Sequence, residues 1–207
     1  MSFIGTVRPA DATGEVREMY ERQEDYWGYV PNYAKAFSHR TEALARWGRL
    51  LAELRRPTDD RRFELVTFAA AHALKNSACS LVHGKELASF IGEDAVLAIA
   101  NGREEDVLED IDVTIVRFAR QVAKDATKVT SGMVDRLKYR HDMSDAEVFD
   151  IAALAAGRAF FAKLLDGLGV ETDSVWQVLD ENFREQLSIG RPMDLKKPEQ
   201  LKDVEAA

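Results

Sequence analysis

The chain has 207 residues, of which 46% are hydrophobic and 31% charged, a composition typical of a soluble globular protein. Its formal net charge of −8 argues against nucleic acid or an anionic membrane as the main partner, because both need a basic surface. The single cysteine suits a reducing compartment, and the N-terminal residues lack the pattern of a signal peptide, so we expect a cytoplasmic protein.

Apolar residues recur at intervals of three and four along almost the whole sequence, which predicts helices. In chain order, the predicted helices span about residues 13–25, 41–54, 60–75, 77–90, 94–100, 104–126, 130–140, 144–168 and 173–188. Thr58 is expected to cap the third of these, and Ser144 with Glu147 matches the capping box. The pattern predicts one all-α domain over 1–190 and an extended or disordered polar tail over 191–207.

The helix predicted over 144–168 contains an alanine- and glycine-rich stretch, IAALAAGRAF (151–160). Small side chains let helices approach closely, in a core or at a subunit interface. The sequence does not decide between the two.

The stretch KNSACSLVHGKE (75–86) holds the only cysteine, Cys79, and a histidine four residues later, His83. This spacing puts both side chains on one face of a helix. Asn76 and Ser77 are favourable N-cap residues, so Cys79 is expected in the first turn. There the helix dipole and a nearby cation favour the thiolate, which predicts a thiol pKa below its usual range.

Glu64 precedes Cys79 by fifteen residues, which is about 22 Å along one straight helix. It approaches the thiol only if the chain turns between them, and Asn76 and Ser77 are where we expect that turn. A buried carboxylate bonded to the imidazole of His83 would orient it and raise its basicity.

The pattern E-x14-C-x3-H, formed by Glu64, Cys79 and His83, resembles the active-site motif of the alkylhydroperoxidase D-like family, also called the carboxymuconolactone decarboxylase superfamily. The flanking segments 3–38, 64–74 and 144–173 are similar to those of its peroxidase-related subgroup. The resemblance implies a multi-helix bundle that assembles as a homo-oligomer. It also implies that Cys79 attacks a hydroperoxide while His83 and Glu64 relay protons, and it implies no cofactor.

The motif departs from the family at one position. The family carries C-x-x-C, whose first cysteine resolves the sulfenic acid into a disulfide. Asn76 stands at that position, and Ala78 precedes Cys79 where many members carry an aromatic residue or histidine. With no second cysteine in the chain, an intrachain disulfide cycle is impossible, so the implied activity needs an external thiol reductant.

Other functions remain open from the sequence. A decarboxylase-type enzyme on the same scaffold would use Glu64, His83 and His72 without redox chemistry, and a catalytically inactive oligomeric binding module would need none of them. Cys79 can be a buried apolar residue and His83 a structural histidine, while Glu64 can pair with a neighbouring arginine. The set His72, Cys79, His83 and Glu64 has acceptable metal-ligand types, but its spacing matches no metal motif.

Two further features are ambiguous. The aromatic cluster of Tyr26, Trp27, Tyr29 and Tyr33 lines either a pocket beside the thiol or a packed helix junction. His141 follows a basic, loop-like stretch and is expected at the surface.

Overall fold

The computed structural model describes residues 2–191 and 193. The ten α-helices of this part are α1 (Gly14–Trp27), α2 (Asn32–Ala36), α3 (Thr41–Arg55), α4 (Asp60–Ala73), α5 (Ser77–Ile91), α6 (Glu93–Ala100), α7 (Asp110–Asp125), α8 (Ser131–Asp135), α9 (Asp145–Gly167) and α10 (Glu181–Leu187). An isolated β-bridge joins Thr172 and Met193, and the described residues form no β-strand. The predicted all-α class is confirmed. No helix among these residues combines the length and apolarity needed to cross a bilayer.

Helix α4 lies at the centre of the fold and packs against α5, α7 and α9. Its apolar residues are buried on every side, including Leu65, Val66 and Phe68. Helices that are apolar all round lie inside a protein, and the alanines at 69–71 let the neighbouring helices approach closely. Helix α4 thereby holds Glu64 inside the fold.

Several local predictions are confirmed. Ser144 and Glu147 form the capping box of α9. The side chain of Asn76 caps α5. The predicted cap of α4 is wrong. Asp59, not Thr58, accepts the hydrogen bond from the Arg62 backbone N–H.

The helix predicted from residue 104 begins at Asp110 instead. The Glu104 carboxylate accepts hydrogen bonds from Arg117 at 3.2 Å and Arg120 at 3.0 Å. On one continuous helix, Glu104 and Arg117 would lie about 20 Å apart. The chain therefore folds back after a short 3-10 turn. Val107, which follows this turn, is exposed.

The helix predicted over 173–188 is divided into a 3-10 segment, Ser174–Val178, and α10. Asp180 separates them, because its side chain caps α10 by accepting from the Phe183 N–H. Most of the tail predicted over 191–207 lies outside the described residues. Within it, Arg191 donates to the backbone oxygen of Asp166.

Candidate active site

A cavity of about 710 Å³ lies between the N-terminal helices and the central helices. Cys79, His83, Glu64 and Arg158 all line it, contributed by α5, α4 and α9. Tyr26 also lines it and is 75% exposed, so the cavity reaches the protein surface. The three residues predicted from the motif therefore share one cavity with an arginine that the sequence analysis did not identify.

Cys79 occupies the first turn of α5, where its backbone N–H donates to Asn76 Oδ1 at 2.8 Å. This agrees with the predicted N-cap. The cysteine is 5% exposed and lines the cavity.

Glu64 and His83 meet across the interface of α4 and α5. Nδ1 of His83 lies 2.7 Å from Glu64 Oε2, and both residues are buried. Lys75, with φ of 58°, lies in the turn that brings the two helices together. The carboxylate engages Nδ1, which leaves Nε2 as the ring nitrogen that can exchange a proton in the cavity.

Arg158 is the functional candidate that the sequence analysis missed. It is 4% exposed, and its Nη1 lies 3.7 Å from Cys79 Sγ, within hydrogen-bond reach of sulfur. It lies in the alanine-rich stretch 151–160, whose small side chains predict close helix packing rather than a site. The sequence contains one signal for this role. Arg158 is the charged residue of a stretch of small apolar residues, and it has no polar partner nearby in sequence.

The predicted lowering of the Cys79 thiol pKa is wrong: the pKa is raised. Burial raises the pKa of Cys79, and the Arg158 guanidinium offsets part of this rise. The helix terminus and the cation favour the thiolate, but the loss of hydration outweighs them. Cys79 is therefore a thiol at rest and becomes a thiolate when a base removes its proton.

His83 is suited to act as that base. Burial lowers the pKa of His83, Arg158 lowers it further, and the hydrogen bond that the ring donates to Glu64 raises it. The ring is thus neutral at neutral pH, and its Nδ1–H donates to Glu64. A neutral imidazole with a free Nε2 accepts a proton, and the adjacent carboxylate stabilises the imidazolium that forms.

Aromatic side chains form much of the cavity wall, which favours the pocket interpretation of the Tyr26–Tyr33 cluster. Trp27 Nε1 donates to the Tyr33 hydroxyl at 2.9 Å, and that hydroxyl bonds to Gln23. Burial raises the pKa of Tyr33 to about 12, so it stays a neutral donor. Phe161 packs edge-on against Tyr33, with ring centroids 5.4 Å apart.

The remaining histidines lie outside this arrangement. His141 is largely buried, not at the surface as expected, and it contacts Thr114 Oγ1 at 3.0 Å and Asp110 Oδ2 at 3.3 Å. Among residues 2–191 and 193, no three His, Cys, Asp or Glu side chains are grouped so that they could hold a metal ion.

No family model matches the sequence, and neither does any curated protein. Solved structures do match. An uncharacterized peroxidase-related protein from Ralstonia eutropha, an alkylhydroperoxidase AhpD core, is 17% identical with a TM-score of 0.67, and the match covers 92% of this chain and 98% of that one. A peroxidase-related protein from a Silicibacter species is 15% identical with a TM-score of 0.67, over 84% and 88% of the two chains.

The third similar structure is a cysteine-to-alanine variant of the debrominase Bmp8 in complex with 2,3,4-tribromopyrrole. It is 13% identical with a TM-score of 0.66, and the match covers 88% of this chain and 94% of that one. The agreement extends over nearly the full length of all three proteins. The chain therefore has the alkylhydroperoxidase D-like fold.

Proposed function

We propose that the protein is a one-cysteine, thiol-dependent peroxidase that reduces an organic hydroperoxide through Cys79. The observation that carries the proposal is the hydrogen-bonded pair of Glu64 and His83 in the same cavity as a buried thiol and a buried arginine. A cysteine that served only as packing would need neither a base nor a cation beside it.

Each of these groups has a defined role in the proposed reaction. His83 Nε2 accepts the proton of Cys79, and Arg158 stabilises the thiolate as it forms. The sulfur attacks the distal oxygen of the hydroperoxide, the O–O bond breaks, and the alkoxide takes a proton from His83 to leave as an alcohol. Cys79 is left as a sulfenic acid, and Glu64 keeps the imidazole oriented throughout.

The catalytic cycle must close with thiols from outside the chain. One small thiol condenses with the sulfenic acid, forming a mixed disulfide and releasing water. A second thiol releases Cys79 and leaves as an external disulfide. Asn76, at the position where the family carries its resolving cysteine, offers no sulfur for an internal alternative.

Cavity size favours an organic substrate over hydrogen peroxide. A volume of about 710 Å³ falls in the range of pockets that hold drug-sized molecules. Aromatic walls in a space of this size suit an apolar body attached to the peroxide group.

The test is to treat the reduced protein with one equivalent of cumene hydroperoxide and trap sulfenic acid with dimedone, read by mass spectrometry. We expect one adduct, on Cys79, and none in Cys79→Ser. His83→Gln should slow adduct formation, whereas the matched control His141→Gln, outside the cavity, should not. An unmodified Cys79 after excess hydroperoxide, or full thiol-dependent peroxidase activity in Cys79→Ser, would refute the proposal.

A second variant probes the missing resolving thiol. Asn76→Cys adds a thiol three residues before Cys79, and peroxide should then convert both thiols to a disulfide. Wild-type protein treated in the same way should instead proceed to sulfinic acid. Equal overoxidation of both proteins would show that a thiol at position 76 does not reach Cys79, whereas neither a disulfide nor a sulfinic acid in either protein would argue against a sulfenic acid at Cys79.

The debrominase neighbour and the aromatic cavity favour a second candidate, reductive removal of a halogen from an aromatic compound. In that reaction Cys79 takes the halogen, the ring carbon takes a proton, and two external thiols restore Cys79 with release of halide. Halide release from bromopyrroles with an excess of thiol, without hydroperoxide consumption, would favour this candidate. Activity retained in Cys79→Ala would instead favour the decarboxylase-type alternative.

A further inference from the structure

The charge on Arg158 is not matched by an ion pair. The residue is 4% exposed, and within the described part of the chain its side chain donates a hydrogen bond to the sulfur of Cys79 and to no other group. Its Nε is buried and has no hydrogen-bond partner among the described residues. Among residues 2–191 and 193, the guanidinium makes no salt bridge and lies over the ring of Phe161, 5.8 Å from its centroid.

The other arginines of the cavity wall differ from it in this respect. Arg55 pairs with Asp60 at 2.7 Å, and Arg22 lies 3.9 Å from Glu18. Both also reach solvent more than Arg158 does. Among the described lining residues, Arg158 is therefore the arginine whose charge is free to bind something in the cavity.

A buried, unpaired guanidinium is costly to keep, because burial removes its hydration without an anion to compensate. The neutral thiol does not balance the charge. The carboxylates that line the cavity have partners of their own: Glu64 has His83, Asp173 has the backbone N–H of Asn32 at 2.8 Å, Glu86 has Lys85, and Glu171 is also engaged. An anion entering the cavity would supply the missing partner.

We propose that Arg158 is the anion-binding subsite of this cavity and that the substrate is an amphipathic organic anion, a carboxylate carried on an aromatic or alkyl body. Nη1 faces Cys79 Sγ and Nε is buried, so Nη2 is the guanidinium nitrogen left to donate a charge-assisted hydrogen bond to the ligand. The aromatic wall formed by Tyr33 and Phe161 then contacts the apolar body.

This inference names a substrate class for the proposed peroxidase and rests on it for the reaction, but the binding step can be measured alone. The ligands are phenylacetate and hexanoate, each compared with its neutral amide, titrated into the reduced full-length protein in a calorimeter. Because charge-assisted hydrogen bonds are stronger than neutral ones, each carboxylate should bind about tenfold more tightly than its amide.

Two variants assign the preference to one residue. Arg158→Gln should reduce the carboxylate-to-amide ratio to within about twofold. Arg55→Gln, the matched control that removes a paired arginine from the same wall, should keep the wild-type ratio. If Arg158→Gln does not fold, equal affinities of carboxylate and amide in wild-type protein still refute the inference, since that comparison needs no substitution.

Equal affinities for carboxylate and amide, or no binding of either at millimolar concentration, would overturn the inference. Preference that persists in Arg158→Gln but disappears in Arg55→Gln would also overturn it. These outcomes are separate from the peroxidase test. Preferential binding of carboxylates without sulfenic acid formation would support the anion subsite and refute the peroxidase. Sulfenic acid formation without that preference would support the peroxidase and refute the subsite.

Discussion

His72 lies in the last turn of α4, and replacing it tests the electrostatics of the core directly. Its Nε2 is buried without a hydrogen-bond partner among the described residues, and its ring packs 5.7 Å from that of Phe68. Burial, followed by the charge of Arg120, lowers the pKa of His72 from 6.5 to about 4. The structure thus makes His72 a neutral packing residue.

The sign and size of the pH effect follow from this shift. Above pH 6.5 the ring is neutral in the folded and unfolded states, so its titration does not change the free energy of unfolding. As the pH falls from 6.5 towards 4, the unfolded chain binds a proton that the folded protein does not, so stability is lost. At about pH 5 the difference amounts to about 2 kcal/mol of unfolding free energy.

The variant His72→Phe keeps the ring and removes the titration. Urea unfolding of both proteins at about pH 7.5 and about pH 5 gives a double difference in which the other histidines cancel. We expect wild type to lose about 2 kcal/mol more than the variant between the two conditions. An identical loss in both proteins would refute the assignment of a neutral, buried His72.

The packing beside the site and the role of the proton relay give three further predictions. A Cβ at Gly84 would lie 2.5 Å from a leucine of α10, so Gly84→Ala should destabilise the protein by about 1–3 kcal/mol in urea unfolding, whereas Gly48→Ala, a mid-helix position with open space, should not. Glu64→Gln withdraws the charge that favours the imidazolium, so it should lower the pKa of His83 and slow iodoacetamide alkylation of Cys79; an unchanged rate would argue against the relay. The rate of Cys79 alkylation in wild-type protein should still be rising at the pH where an ordinary thiol is fully ionised, because burial raises the pKa of Cys79. A rate that levels off below pH 7 would contradict this.

The helical content was predictable because local signals decide it. Asn76 is a favourable cap, and its side chain bonds to the backbone where the pattern predicts. The motif also identified Glu64 and His83, although only the packing of α4 against α5 brings them within 2.7 Å. Their catalytic roles stay predictions, as do the single domain and the homo-oligomer.

Features set by distant contacts were not predictable from periodicity. The start of α7 depends on the carboxylate of Glu104, which lies between Arg117 and Arg120 and interrupts an otherwise helical pattern. Arg158 was missed because its partner, Cys79, is 79 residues away in sequence. The thiol pKa was predicted in the wrong direction, because the depth of burial is a property of the whole fold.

The carboxamide of Asn76 caps α5 by accepting a hydrogen bond from the backbone N–H of Cys79. A cysteine at that position would be a weaker cap, so a second redox thiol placed there would loosen the helix start that holds Cys79. On the proposed chemistry, the rate of each cycle is therefore governed by how many small thiols surround the protein. The turnover rate of such an enzyme would depend on the concentration of reduced thiol as well as on the concentration of hydroperoxide.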